Sequence, residues 1–73
     1  MELKVLLKTQ RDVSDFCNAA SNMKSSVTAI ALNARIDAHS LMGLMTLNLS
    51  EPVLLDVEDI DEAKEAFAEW VTP

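Results

Sequence analysis

The chain of 73 residues carries 6 basic and 12 acidic side chains, a net charge of −6, and 49% of its residues are hydrophobic. This acidity argues against nucleic-acid binding, which depends on neutralising phosphates, and the longest apolar run is too short to span a membrane. The single cysteine and single histidine cannot form an internal disulfide or supply the protein ligands of a zinc site. We therefore expect a fold held by its hydrophobic core, with neither a metal nor a cofactor.

The ends of the chain carry information about the compartment and the charge distribution. The N-terminal segment MELKVLLK is too short and too charged for a signal peptide, and unpaired cysteine is typical of reducing compartments. We expect one cytoplasmic domain over residues 1–73. Residues 51–73 hold eight acids against Lys64 alone, a pattern more typical of a solvated helix face than of an acidic docking surface.

Two elements are predicted in the first third of the chain. Residues 2–8 alternate apolar and polar side chains, which is the period of a half-buried strand. From Thr9 the period becomes that of a helix with one apolar side. Thr9 and Asp12 can cap its start, because the hydroxyl accepts a free backbone N–H and the carboxylate favours the positive end of the helix dipole. The apolar stripe comprises Val13, Phe16, Cys17, Ala20 and Met23.

Two strands and a helix are predicted in the middle of the chain. Residues 25–32 contain a β-branched cluster, a further strand is predicted around Ile36, and Asn33 suits the tight turn between them. A short helix should begin at Ser40, which stands at its N-cap.

The last third predicts a fourth strand and a final helix. The break at Glu51-Pro52 precedes an alternating apolar segment over 53–57. The segment DIDEAKEAFAEWV then reads as a helix with one apolar side, and Asp59 and Glu62 have capping-box spacing at its start. The order βαββαβα implies an α+β domain with helices on one face of a mainly antiparallel sheet.

The segment HSLMGLMTLNL, residues 39–49, is apolar almost all the way round a helix. Leu44 and Leu47 lie on one side of this helix, and a short helix on one sheet can hide about half of its circumference, so some of its large side chains should stay near solvent. Exposed apolar patches often mark partner sites, and the flexible methionine side chain adapts to different surfaces. The alternative is that another helix or a chain terminus covers them. The large side chains on the arc beside Leu44 and Leu47 are Leu41, Met42 and Met45.

The segment DAHSLMGLMTLNL resembles the region around the regulatory serine of HPr, the small phosphocarrier of the sugar phosphotransferase system, where Lys-Ser-Ile-Met-Gly is typical. The resemblance runs without gaps from about Thr9 to Leu49, and the element order supports it over nearly the whole chain. It implies an open-faced β-sandwich, with three helices on one face of a four-stranded antiparallel sheet.

The resemblance also implies roles for single residues. Ser40 matches the serine that HPr kinase phosphorylates with ATP, and a helix N-terminus would tolerate the added phosphate. His39 stands where lysine is usual, which weakens the cation beside that serine. The side chains that match the exposed docking residues of the family are Leu41, Met42 and Met45.

The carrier site departs from the family pattern. HPr relays phosphate on a histidine within Gly-x-His-x-Arg-Pro at the start of its first helix, and here the matching segment is KTQRDV, after a loop about three residues shorter. Thr9 falls at the histidine, Arg11 at the arginine and Asp12 at the proline. Threonine cannot replace imidazole as a reversible carrier, and a carboxylate would repel phosphate. His39 also precedes a helix but lies in a different element from the surface that the phosphodonor enzyme reads.

The leading hypothesis is a non-enzymatic, HPr-like regulatory or adaptor domain that binds protein partners through Leu41, Met42 and Met45, beside His39, under control by phosphorylation at Ser40. Candidate partners are phosphotransferase-system enzymes, HPr kinase or a transcriptional regulator. Two alternatives remain: a working phosphocarrier with an atypical site such as His39, and a structural domain that self-associates through the apolar helix. We expect a monomer or a weak homodimer.

Overall fold

The computed structural model describes residues 1–31, 34–47, 49 and 51–72. The turn predicted at Asn33 lies outside the described residues. The described elements follow the predicted order βαββαβα. They are β1 (Glu2–Val5), α1 (Gln10–Ser21), β2 (Val27–Ala31), β3 (Ala34–Asp37), α2 (Leu41–Leu44), β4 (Val53–Val57) and α3 (Ile60–Ala66).

The strands form one sheet in the order β1-β4-β2-β3, and each described pair of neighbours is antiparallel. Leu55 of β4 lies opposite Leu3 of β1 on one side and Ala29 of β2 on the other, and all three side chains are buried. Buried side chains alternate with exposed ones in β1 and with partly buried ones in β4, which leaves one sheet face to the helices. The prediction of an α+β fold with a four-stranded antiparallel sheet and three helices is confirmed.

An aromatic cluster joins α1 to the segment after α3. The ring of Phe16 lies 4.6 Å from that of Phe67 and 6.0 Å from that of Trp70, measured between centroids, and all three side chains are buried. Such tilted and edge-on pairs add to the stabilisation that burial of the rings already provides. The stripe predicted for α1 is confirmed at its first four positions, and Met23 is partly buried against the same core.

The final helix is shorter than predicted, because it ends at Ala66 instead of continuing to Val71. The backbone carbonyl of Trp70 accepts the N–H of Leu6 at 2.8 Å, and Val71 forms an isolated antiparallel bridge with Val5. The chain end thus extends along the free edge of β1 and satisfies backbone groups there, which a helical conformation could not do. No helix in the described part of the chain is long and apolar enough to cross a membrane.

The capping box predicted for α3 forms only on one side. The carboxylate of Asp59 accepts the backbone N–H groups of Asp61 and Glu62, both at 3.1 Å. The Glu62 carboxylate turns instead to the loop before β2, where it accepts the Ser25 hydroxyl and the backbone N–H groups of Lys24 and Ser25. These hydrogen bonds hold the pKa of Glu62 below its ordinary value, and the one from the Ser25 hydroxyl has the largest effect. The side chain therefore ties α3 to that loop.

Candidate functional site

The turn that carries Ser40 is an N-cap followed by a single helical turn. Ser40 has extended backbone angles, φ −96° and ψ 99°, and its hydroxyl oxygen accepts the backbone N–H of Gly43 at 3.3 Å. The N-cap role predicted for Ser40 is therefore observed. Its side chain lies at the surface, so the hydroxyl is accessible. Because α2 has only four residues, its dipole is small, and the local N–H groups are what an anion would meet.

Gly43 lets α2 approach the edge strand β3 closely. A Cβ atom built on Gly43 would lie 2.8 Å from Cγ2 of Ile36 and 3.2 Å from the Ser40 hydroxyl oxygen. The first distance is shorter than any ordinary contact between carbon atoms. Glycine at this position is therefore required by the packing of α2 against β3.

The large apolar side chains of α2 and the turn after it divide into two groups. Leu44 is fully buried and Leu47 nearly so, on the side that faces the core. On the other side the exposed fractions are 42% for Leu41, 84% for Met42 and 53% for Met45. We call these three residues the apolar patch. They are also, with Met1, the exposed large hydrophobic side chains of the described residues. No other described element covers the patch, so the alternative in which a helix or terminus hides it does not apply to this part of the chain.

The start of α1 is capped by Thr9. Its hydroxyl oxygen accepts the backbone N–H of Asp12 at 3.1 Å, and the Asp12 carboxylate accepts the backbone N–H of Lys8, the residue before the cap, at 3.0 Å. In a capping box the second hydrogen bond would come from the N–H of the N-cap residue itself. The Thr9 hydroxyl thereby occupies one backbone donor at the start of the helix.

Arg11 lies one residue into this helix and points into solvent. Its side chain is 90% exposed, and its Nε lies 3.9 Å from the Asp15 carboxylate, one helical turn further on. An exposed pair at this spacing contributes little to stability. The contact described for Arg11 is this pairing with Asp15.

His39 is held from both sides of its ring. Nδ1 lies 2.9 Å from the Asp37 carboxylate and Nε2 lies 3.0 Å from the backbone carbonyl oxygen of Ala20, in the last turn of α1. The same Asp37 oxygen accepts the backbone N–H of His39 at 2.9 Å. Two hydrogen bonds hold the pKa of Asp37 below its ordinary value. The one from the backbone N–H of His39 has the larger effect, and the one from its ring has the smaller.

Comparison with known proteins identifies the family. A family model described as the phosphorylation site of the HPr component of the phosphotransferase system matches residues 9–72. The chain belongs to the HPr family. The resemblance found in the sequence is thus confirmed. A search of curated protein sequences finds no match.

Two solved HPr structures share the fold. The protein named HPr-C-His from Thermoanaerobacter tengcongensis is 28% identical, with a TM-score of 0.74, and the alignment covers 94% of this chain and 88% of that one. The histidine-containing phosphocarrier protein of a mycoplasma is 19% identical, also with a TM-score of 0.74, and the alignment covers 94% and 89% of the two chains. At the lower identity the likeness concerns the fold alone.

The structure brings together some of the predicted site residues and separates others. Ser40, His39 and the apolar patch share one turn and the short helix after it. Thr9, Arg11 and Asp12 form a second group at the start of α1. Ala20, which meets the His39 ring, lies in the last turn of α1, so the two groups stand at opposite ends of that helix.

Sequence reasoning missed three contacts of the Ser40 turn. The Asp37 carboxylate could have been found from the spacing Asp-Ala-His, because aspartate often accepts the backbone N–H two residues later. The close approach at Gly43 had a signal too, since an isolated glycine within a helical pattern often has a packing reason. The contact between His39 and Ala20 had none, because it joins residues 19 positions apart.

Proposed function

We propose that this HPr-family chain is a non-enzymatic regulatory or adaptor domain of the cytoplasm. It binds a protein partner through the apolar patch, is controlled by phosphorylation at Ser40, and does not carry phosphate on a histidine. The patch is the observation that carries the proposal.

The patch is supported by the way it is mounted. Leu44 is fully buried beneath it, and Gly43 lets α2 pack closely on β3, so the exposed side chains project from a packed base. A packed base reduces the ordering that binding must impose, while methionine side chains adapt to the shape of the partner. Met42, at 84% exposure, leaves most of its surface for a partner to bury.

The start of α1 supports the loss of the carrier role. Thr9 stands where the family has its histidine, and its hydroxyl caps the helix. The Asp12 carboxylate accepts the N–H of Lys8 in the same region and adds a negative charge that would repel an incoming phosphoryl group. A phosphothreonine is also a stable ester, unlike the phosphoramidate that a histidine forms.

The contacts of His39 argue against its use as a substitute carrier. A histidine that accepts a phosphoryl group attacks through an unprotonated ring nitrogen with a free lone pair. Here each ring nitrogen lies within hydrogen-bond distance of an oxygen that can only accept, one from the ionised Asp37 and one from Ala20. Both nitrogens would have to leave these partners before either could react.

Ser40 is a candidate modification site because its hydroxyl is exposed and sits beside the patch. In the proposed reaction a kinase transfers the γ-phosphoryl group of ATP to the hydroxyl oxygen. The new P–O bond replaces the one to ADP, and the hydroxyl proton passes to a base of the kinase. The product carries nearly two negative charges next to Leu41, which would weaken docking of an apolar partner surface and favour a basic one.

Phosphorylation is tested by intact mass after incubation with ATP and a Gram-positive HPr kinase, beside the Ser40→Ala variant. We expect one added phosphate in the parent and none in the variant. A parallel incubation with phosphoenolpyruvate and the first enzyme of the system should give no acid-labile adduct. If the parent gained an acid-labile phosphate and His39→Gln did not, the chain would be a carrier with an atypical site, and the adaptor role would be refuted.

Docking is tested with the double variant Met42→Glu, Met45→Glu. Glutamate substitutions at exposed positions outside the patch, such as Ala68→Glu, serve as charge controls. Candidate partners are the phosphotransferase-system enzymes and transcriptional regulators, measured by calorimetry. We expect at least a tenfold loss of affinity in the patch variant and little change in the controls, because central hot-spot side chains of an interface cost about 2 kcal/mol or more when altered and a carboxylate is costly to bury there. Unchanged affinity in the patch variant would contradict the proposal. If the parent sediments in a concentration-dependent way and the patch variant does not, self-association through the patch would be favoured instead.

A further inference from the structure

The apolar patch can be modified chemically only at its two sulfur atoms. Apart from the thioethers of Met42 and Met45, the patch carries no ionisable or nucleophilic side-chain group, and α2 contributes none. A thioether sulfur is not protonated in the physiological pH range, so its lone pair is always available. Oxidation of such a sulfur therefore needs no catalytic group in the protein, only access of the oxidant.

Exposure divides the four methionines of the chain. In the patch Met42 is 84% exposed and Met45 53%, whereas Met23, just after α1, is partly buried against the hydrophobic core. Met1 is also exposed but lies at the start of the chain, outside the patch. The remaining sulfur atom belongs to Cys17, whose side chain is buried. An oxidant that must reach the sulfur will therefore meet the patch before the core.

We propose that Met42 and Met45 are sites of reversible oxidation by peroxides, and that their sulfoxides turn the apolar patch into a polar surface. In this reaction the sulfur lone pair attacks one oxygen of hydrogen peroxide and the O–O bond breaks. Sulfur gains that oxygen and is oxidised by two electrons, while the other oxygen takes up the proton and leaves as water. Methionine sulfoxide reductases reverse the change, since the added oxygen leaves as water and two thiols become a disulfide.

Oxidation would change the patch without disturbing the core. Each sulfoxide places a strong dipole and an acceptor oxygen where the surface was apolar, and burial of that oxygen without a hydrogen bond is costly. The buried contacts under the patch come from other residues, because Leu44 is fully buried and Gly43 lies against Ile36 of β3. Under the proposed function, on which this consequence rests, the oxidised patch releases a partner that the reduced patch binds.

The modification is tested without any partner. The protein is treated with dilute hydrogen peroxide, and each methionine is followed by peptide mass spectrometry. We expect Met42 to oxidise at least about threefold faster than Met23, with Met45 between them. The Tm should stay within about 4 °C of the untreated value, because changes at exposed side chains are usually worth about 0.5 kcal/mol or less.

Elution from a hydrophobic-interaction column reports the polarity of the surface, and the oxidised protein should elute earlier. The control variant Met42→Leu, Met45→Leu keeps the patch apolar and retains Met1 and Met23, so peroxide should shift its elution far less. Oxidation of Met23 as fast as Met42 would overturn the proposal. So would unchanged elution after both methionines of the patch have reacted.

The regulatory consequence is tested by calorimetry with a candidate partner before oxidation, after oxidation, and after repair by methionine sulfoxide reductases A and B. We expect a loss of affinity of at least about tenfold that repair reverses, and no loss in the leucine variant. Equal affinity of the oxidised and reduced forms would overturn this regulation and leave docking intact. If the reduced protein bound none of the candidate partners, the proposed function would fail, while mass mapping and elution would still decide the modification.

Discussion

Substitution of Gly43 by alanine tests the packing on which the apolar patch rests. The added Cβ would lie 2.8 Å from Cγ2 of Ile36, closer than carbon atoms normally approach. Cγ2 is attached directly to the branched Cβ of isoleucine, whose first torsion angle is stiff, so it cannot swing away as a flexible chain end could. Either α2 must lift from β3 or Ile36 must leave its rotamer.

Two opposing effects set the size of the change. Alanine is favoured over glycine by up to about 1 kcal/mol within a helix, whereas overpacking a close contact costs about 1 to 3 kcal/mol. We expect Gly43→Ala to lower the free energy of unfolding by about 1 kcal/mol in the wild type. In an Ile36→Ala background the obstructing Cγ2 is absent, so the same substitution should be neutral or stabilising. The coupling between the two sites should be about 1 to 2 kcal/mol.

Urea denaturation of the four proteins, followed by circular dichroism, measures this cycle. One kcal/mol corresponds to about 4 to 8 °C in Tm for a domain of this size, so thermal unfolding gives an independent reading. The Ser40 hydroxyl, 3.2 Å from the added atom, is disturbed equally in both backgrounds and drops out of the coupling. An equal cost of Gly43→Ala with and without Ile36 would refute the close approach as the reason for glycine.

Two further predictions concern hydrogen bonds at helix starts. Thr9→Ala should lower the free energy of unfolding, measured by urea denaturation, by about 1 kcal/mol, because the hydrogen bond from the Asp12 N–H to the hydroxyl is lost. Thr9→Ser should keep this hydrogen bond and the stability. Equal losses in both variants would exclude the hydroxyl as the cap. Glu62 has a pKa lowered from 4.5, so its stabilising effect is present above that pH and is lost as the pH falls through the folded-state pKa. The Tm of Glu62→Gln should therefore fall less steeply than that of the wild type below about pH 4.5, and parallel acid slopes would contradict the tie to Ser25.

Local periodicity predicted most of the fold because most elements here are decided by nearby residues. The stripe of α1 and the alternation of β4 each repeat often enough to identify one buried face. The limited circumference that a helix can bury also predicted that some large side chains of residues 39–49 stay exposed, as Met42 does.

The remaining features depend on contacts between distant residues. The end of α3 was overestimated because its apolar period continues to Val71, while the backbone there bonds to β1 at the other end of the sequence. The Glu62 carboxylate has capping-box spacing but is drawn to Ser25, 37 positions away. Periodicity carries no information on such pairs, since competition between a local and a distant partner is decided only in the folded chain.

The start of α1 shows a conflict between capping a helix and binding an anion there. A helix N-terminus that receives phosphate must leave backbone N–H groups free and tolerate negative charge nearby. In this chain the Thr9 hydroxyl occupies one of those donors, the N–H of Asp12, and the Asp12 carboxylate brings the charge that a phosphate would have brought. The start of the helix is therefore stabilised by groups that take the place of a bound phosphate. Under the proposed function, loss of phosphate relay at this end of α1 and retention of a docking turn at its other end are independent changes, because the fold holds each by separate contacts.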